Sequence, residues 1–228
     1  MLIKSDKVLI VTAHPDDAEI GMGMRIIQHD LDGNNVYLLI ATNGEHEECP
    51  RGRKTEAKKA AKTLGIKECR FLDLPCGRLN EQCNELRGKI ESFVKNINPD
   101  IIYTIFPNDL HVDHVVISEE TLSAARSVPT LFFFRVAYSR QFNPNFFFFG
   151  TQKLMQRKLE ALKCYKNEIK REGSLNLEVI ENLAKVEMHR YFHHKALSKI
   201  QNRLKVHPNA PLFFEPFLVE RICCQELL

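Results

Sequence analysis

The chain has 228 residues, 44% hydrophobic and 27% charged, with a formal net charge of +3. Such a chain can bury one substantial core and has the composition of an ordinary globular protein. Its positive charge is too small and too dispersed to argue for nucleic acid as a partner. No apolar run approaches the roughly 18–20 residues of a membrane span. Met1 to Asp6 lacks the apolar stretch of a signal peptide. The seven cysteines (Cys49, Cys69, Cys76, Cys83, Cys164, Cys223 and Cys224) include no C-x-x-C pair. That pattern speaks against a disulfide framework or a cysteine zinc cage, and for free thiols in a cytoplasmic protein.

Lys7 to Thr12 is a short aliphatic and β-branched run and predicts a buried strand. A helix from about Ala18 to Leu31 follows, closed by the turn signal Asp32-Gly33-Asn34-Asn35. Val36 to Ala41 predicts a second strand. Next comes a polar loop, Thr42 to Pro50, carrying Gly44, Glu45, His46, Glu47 and Glu48. A helix over Gly52 to Leu64 stops at Gly65, and Cys69 to Leu74 is a third strand. Glu85 to Asn96 is an amphipathic helix and Ile101 to Ile105 a fourth strand. Beyond a helix reaching about Ser127, strand character returns at Leu131 to Tyr138 and at Phe146 to Phe149. Helices over Gln152 to Ile169 and Glu178 to His194 precede a last strand over Pro211 to Ile222. His189 and His193 would share a face of the second of these helices.

Strand and helix alternate over the first half. This predicts an α/β, Rossmann-like fold: a mostly parallel sheet, helices on both faces, and a smaller C-terminal helical and strand extension. No repeat or linker divides the chain, so residues 1–228 read as one domain.

Chemistry concentrates at two strand ends. Ala13-His14-Pro15-Asp16-Asp17-Ala18-Glu19 follows the first strand, and Asn108-Asp109-Leu110-His111-Val112-Asp113-His114 follows the fourth. Strands one and four can be neighbours at the switch point of a doubly wound sheet, where ligands bind. His14, Asp17, His111, Asp113 and His114 would then meet in one cleft. Two imidazoles and a carboxylate suit Zn²⁺, with a fourth position for water. Only one of Asp16 and Asp17 can easily face the metal; the other can act as general base. His111 could stabilise an oxyanion or protonate a leaving amine, with Asp113 orienting it and raising its pKa. Either aspartate alone would more often be a helix N-cap, and a lone histidine is usually structural. Both motifs at the ends of neighbouring strands outweigh that reading.

On these two motifs the chain resembles the zinc-dependent deacetylases of the PIG-L/LmbE-like family. Supporting matches are Thr42-Asn43-Gly44-Glu45, Arg53-Lys54-Thr55-Glu56, Phe71-Leu72-Asp73-Leu74-Pro75, Lys158 to Tyr165, and Phe214-Glu215-Pro216-Phe217. The resemblance implies His14, Asp17 and His114 as metal ligands, Asp16 as general base, and His111 as the oxyanion-stabilising histidine tuned by Asp113. It implies that Arg53 faces the substrate, an N-acetylglucosamine-type sugar or conjugate that loses its acetyl group. Zn²⁺ is the implied cofactor, and another divalent ion such as Fe²⁺ is compatible. The expected partner is the small acetylated substrate, with no nucleic acid and no membrane span, and with room for a homo-oligomer. Three departures stand out, one being that the family's Arg-Gly stretch near the C-terminal end is not evident around Met188-His189-Arg190-Tyr191. Gly23-Met24 occurs where relatives carry Gly-Gly, and Cys76 where many carry an aspartate that contacts the sugar.

Two other readings of the same α/β scaffold are a nucleotide-binding domain and a catalytically idle metal-binding protein. The first would need a glycine-rich phosphate loop after strand one. Gly21 and Gly23 instead fall inside the following helix, and carboxylates stand where phosphates would go.

Overall fold

A computed structural model describes residues 6–45, 52–170 and 175–223. His46 to Pro50 of the polar loop (Cys49 among them), Met1 to Ser5 and Cys224 lie outside the described residues. The strands are β1 (Lys7–Thr12), β2 (Asn35–Thr42), β3 (Glu68–Leu74), β4 (Ile101–Ile105), β5 (Thr130–Phe134), β6 (Phe146–Gly150) and β7 (Phe213–Arg221). They form one seven-stranded sheet in the order β3-β2-β1-β4-β5-β7-β6. The first five strands of that order run parallel. Val8 to Val11, Val36, Leu38, Leu39 and Ile101 to Ile105 are buried, as strands covered on both faces must be.

The helices are α1 (Asp17–Leu31), α2 (Arg53–Leu64), α3 (Cys83–Ile97), α4 (Val112–Ala124), α5 (Gln152–Leu162), α6 (Lys166–Lys170), α7 (Leu177–Val186) and α8 (His194–Arg203). α1, α2 and α5 pack together, as do α3 and α4. The α/β, Rossmann-like expectation therefore holds. The C-terminal extension carries α7, α8 and β7, and it joins the main sheet through β7, which runs antiparallel to β5 and pairs with β6 on its outer edge.

Three boundaries differ from the sequence expectation. β5 stops at Phe134 rather than Tyr138, because the chain turns there: Val136 N donates to Ser139 Oγ, and Ser139 pairs with Asp109. The helix expected over Gln152 to Ile169 divides, so that Tyr165 is buried and its hydroxyl donates to Glu19 Oε1 at 2.9 Å. The helix expected over Glu178 to His194 ends at Val186, followed by a 3₁₀ turn, Glu187–Arg190. The break lets Met188 and Phe192 enter a small second core with Leu197, Leu212 and Phe214. His193 caps α8 instead, so His189 and His193 share no helix face.

One interior detail divides α1 near its N-terminus. Met22 is non-helical (φ −147°, ψ 24°), so α1 is two segments. Buried Glu215 of β7 accepts from Met24 N at 2.9 Å and Arg25 N at 2.8 Å, capping the second segment. Buried Lys158 of α5 donates to Ile20 O and to Glu215 Oε1, both at 2.7 Å, closing the first segment. The flanking glycines are required by close approach. A Cβ on Gly21 would lie 2.3 Å from the Phe134 ring, and one on Gly23 would lie 2.8 Å from Lys158 Cγ.

Candidate metal centre

β1 and β4 are hydrogen-bonded neighbours, so the residues after Thr12 and after Ile105 emerge side by side. His14 leaves the end of β1, and its backbone N–H donates to Asp17 Oδ2 at 2.7 Å, which fixes that carboxylate in the turn entering α1. His114 lies in the first turn of α4. Its Nε2 stands 3.1 Å from His14 Nδ1. The Asp17 carboxylate is 3.7 Å from His14 Nδ1 and 3.3 Å from His114 Nε2. Ligand atoms at the corners of a tetrahedron with Zn–N or Zn–O bonds of 2.0–2.1 Å are about 3.3 Å apart. The donor set therefore fits a tetrahedral divalent ion in both chemistry and spacing.

The far nitrogen of each imidazole is held by a second carboxylate. His14 Nε2 lies 3.0 Å from Asp113 Oδ2, and His114 Nδ1 lies 3.0 Å from Asp109 Oδ1. Protons on those far nitrogens leave His14 Nδ1 and His114 Nε2 as facing lone pairs, the tautomers a metal needs. Asp113 is fixed in turn by N–H donors of Gly77 at 2.6 Å and Leu79 at 3.1 Å. Asp109 is fixed by Ser139 Oγ at 2.9 Å and His111 N at 2.9 Å.

Electrostatics agree with a cation site. Burial works to lower His14, but hydrogen bonds to Asp113 and Cys76 and the nearby Asp17 charge lift it to about 10. Burial likewise opposes a charged His114, but Asp17 and Asp109 raise it to about 9. Burial works to raise Asp17, yet the two histidines bring it down to about 2. Such concentrated negative potential attracts a divalent ion, whose binding displaces the imidazole protons.

Asp16 takes the N-cap position of α1 with φ 91°, but its side chain makes no capping bond. A left-handed aspartate is strained backbone of the kind concentrated at functional sites. Its Oδ2 instead accepts from Arg53 Nη2 at 2.8 Å. Burial lifts Asp16 to about 8, because the opposing pull of Arg53 is smaller and Asp17 and Glu19 add like charge.

Two sequence expectations change in detail. Asp113 does not pair with the His111 ring; its carboxylate faces His14, and only its backbone N–H reaches His111 Nδ1, at 3.2 Å. His111 is accordingly lowered rather than raised, first by burial and then by His14 and His114, with Asp113 acting weakly in the opposite sense. A neutral His111 that accepts at Nδ1 carries its proton on Nε2 and so offers a donor. Its ring lies 4.6 Å from that of His14 and 4.7 Å from that of His114. Arg53 is buried, donating to Pro15 O and Asp16 and pairing with Glu168, so its guanidinium is committed to holding Asp16. The cluster thus gathers His14, Asp16, Asp17, His111, Asp113 and His114, and Arg53 joins it through Asp16.

Sequence reasoning gave Asp109 no role. The signal was present in its spacing: a carboxylate five residues before His114, in the same strand-end loop. Cys76 also belongs here, in the turn whose next residue, Gly77, donates to Asp113. A hollow of about 300 Å³ over the α1 break, between Gly21, Arg135, Ile180 and Phe214, includes none of these residues.

Comparison with known proteins places the chain in a family. The structure matches that of the 4-carboxy-2-hydroxymuconate hydratase GalB from Pseudomonas putida KT2440 with TM-score 0.75 and 17% identity, covering 98% of this chain and 99% of that one. At that identity the likeness shows the fold alone, which by itself does not choose a reaction. The chain is 27% identical over 171 residues to the uncharacterized deacetylase YaiS of Escherichia coli (strain K12), covering 72% of this chain and 92% of that protein. It is 29% identical over 136 residues to a probable N-acetyl-alpha-D-glucosaminyl L-malate deacetylase 2 of Bacillus cereus, covering 54% of this chain and 62% of that protein. Residues 9–125, which carry both strand-end motifs, match the PIG-L family, described as GlcNAc-PI de-N-acetylase, and the chain belongs to that family.

Proposed function

We propose that this protein is a metal-dependent hydrolase that removes the N-acetyl group from an N-acetylglucosamine-type sugar or sugar conjugate. The observation that carries the proposal is the pair of facing nitrogens, His14 Nδ1 and His114 Nε2, each imidazole backed by its own carboxylate and both beside Asp17. The family description and the relatives, which are deacetylases, support the substrate class. Zn²⁺ is the ion that best suits two imidazoles and a carboxylate.

When bound, the ion supplies Lewis acidity, making water a stronger acid and polarising an acyl oxygen. His14, Asp17 and His114 hold it. Asp16 is the general base, taking a proton as the water oxygen bonds to the acetyl carbon. His111 Nε2–H donates to the carbonyl oxygen as it gains charge. The proton on Asp16 then passes to the nitrogen as the C–N bond breaks, giving acetate and a free amine. Arg53 keeps Asp16 aimed at this position. A nucleotide-binding reading is not favoured, because Asp16, Asp17 and Asp113 surround the strand end where phosphates would need donors.

The test is a screen of N-acetylated sugars for amine release, with and without chelator. Chelator-sensitive release is expected, and its absence from every acetylated sugar would overturn the proposal. A narrower result concerns the carboxylate behind His114. Asp109→Asn is expected to weaken metal affinity by about 10–100-fold, measured by competition with a chromophoric chelator. Unchanged affinity would remove Asp109 from the site.

A further inference from the structure

Beside the donor set described above lies a second one that shares a single residue with it. The ligand atoms of His14, Cys76 and Asp113 all lie within 4.8 Å of one another. His14 faces both sets. Its Nδ1 is turned to His114, while its Nε2 is 3.0 Å from Asp113 Oδ2. Cys76 and Asp113 are held in register by the backbone. Gly77, in the same turn as Cys76, and Leu79, which opens the 3₁₀ turn that follows, donate to the two Asp113 oxygens at 2.6 and 3.1 Å. Asp113 is fully buried and His14 nearly so, whereas Cys76 is half-buried, so the cluster opens outward at the thiol.

We propose that Cys76, Asp113 and His14 form a second metal position, selective for a soft or borderline divalent ion, directly behind the first. A thiolate, an imidazole and a carboxylate favour Zn²⁺, Co²⁺ or Cd²⁺ over Mg²⁺ or Ca²⁺, which prefer oxygen ligands. Binding releases two protons, one from the Cys76 thiol and one from His14 Nε2, and transfers no electrons. His14 then bridges the two ions through its two ring nitrogens. The second ion takes from Asp113 the task of holding His14 and sets positive charge next to His111, so it is inhibitory. The inference rests on the proposed function in taking His14 Nδ1 as a ligand of the first ion.

The test is a Co²⁺ titration of the metal-free full chain, following bound metal per chain and near-ultraviolet absorbance. Two equivalents are expected, with a thiolate-to-cobalt charge-transfer band appearing with the second. Cys76→Ser is expected to bind one equivalent without the band. Excess Zn²⁺ should lower the rate of the unaltered protein, relative to its own rate at one equivalent, and leave that ratio unchanged in Cys76→Ser. Saturation of the unaltered protein at one equivalent, or a thiolate band that persists in Cys76→Ser, overturns the second site. A chain that binds two ions but releases no amine contradicts the proposed activity alone. One that releases amine but binds a single ion contradicts only the second position.

Discussion

Asp16→Asn is expected to retain its metal while losing turnover by about 10²–10⁴-fold, the usual worth of a positioned general base. The substitution keeps size and the Arg53 contact partner but removes the ability to accept a proton. Metal retention follows from geometry: the Asp16 oxygen is engaged by Arg53 at 2.8 Å, whereas the facing donors belong to His14, Asp17 and His114. The measurement is metal content per chain alongside kcat on whichever acetylated sugar the screen selects. A variant with full metal and near-normal kcat would transfer the role of base to another residue. One that loses its metal would instead place Asp16 among the ligands. The same contacts give the direction of a pH effect. The Arg53 guanidinium pulls Asp16 downward against burial, so weakening that contact raises the Asp16 pKa. The rising limb of the pH–rate profile, which requires ionised Asp16, is expected to move to higher pH.

The largest expected loss of stability comes from the buried pair that braces the α1 break. Glu215→Gln or Lys158→Met leaves one charge buried without its counter-charge, at a cost of about 3–5 kcal/mol. For a chain of this length that lowers Tm by about 6–20 °C. Both residues are 2% exposed, so water offers the orphaned partner little relief. The double variant removes both charges and leaves the Gln amide oxygen to accept from Met24 N, so it is expected to recover part of the loss. Denaturant unfolding of the three variants checks this. Single variants within about 1 kcal/mol of the unaltered chain would be ordinary surface-scale changes and would refute the bracing role.

Elements controlled by local physics were legible in the amino-acid order. Continuous aliphatic runs such as Val8 to Val11 and Ile101 to Ile105 can be stable only as buried strands, and their alternation with helices admits few topologies. Those topologies bring the ends of β1 and β4 together, so His14, Asp16, Asp17, His111, Asp113 and His114 were legible as one cluster, whereas Asp109 was overlooked. Partner choice within the cluster was not legible. That Asp113 faces His14 and that Arg53 turns onto Asp16 depend on contacts between residues 99 and 37 positions apart. The same limit hid the function of Lys158, Tyr165 and Glu215. In sequence they are polar residues in amphipathic or strand-like segments, and only the folded chain carries them to Ile20, Glu19 and Met24. The physical reason is common to both cases. Burial and periodicity are set by a residue's neighbours in sequence, whereas the pairing of buried polar groups is decided by which distant donors and acceptors packing brings within 3 Å.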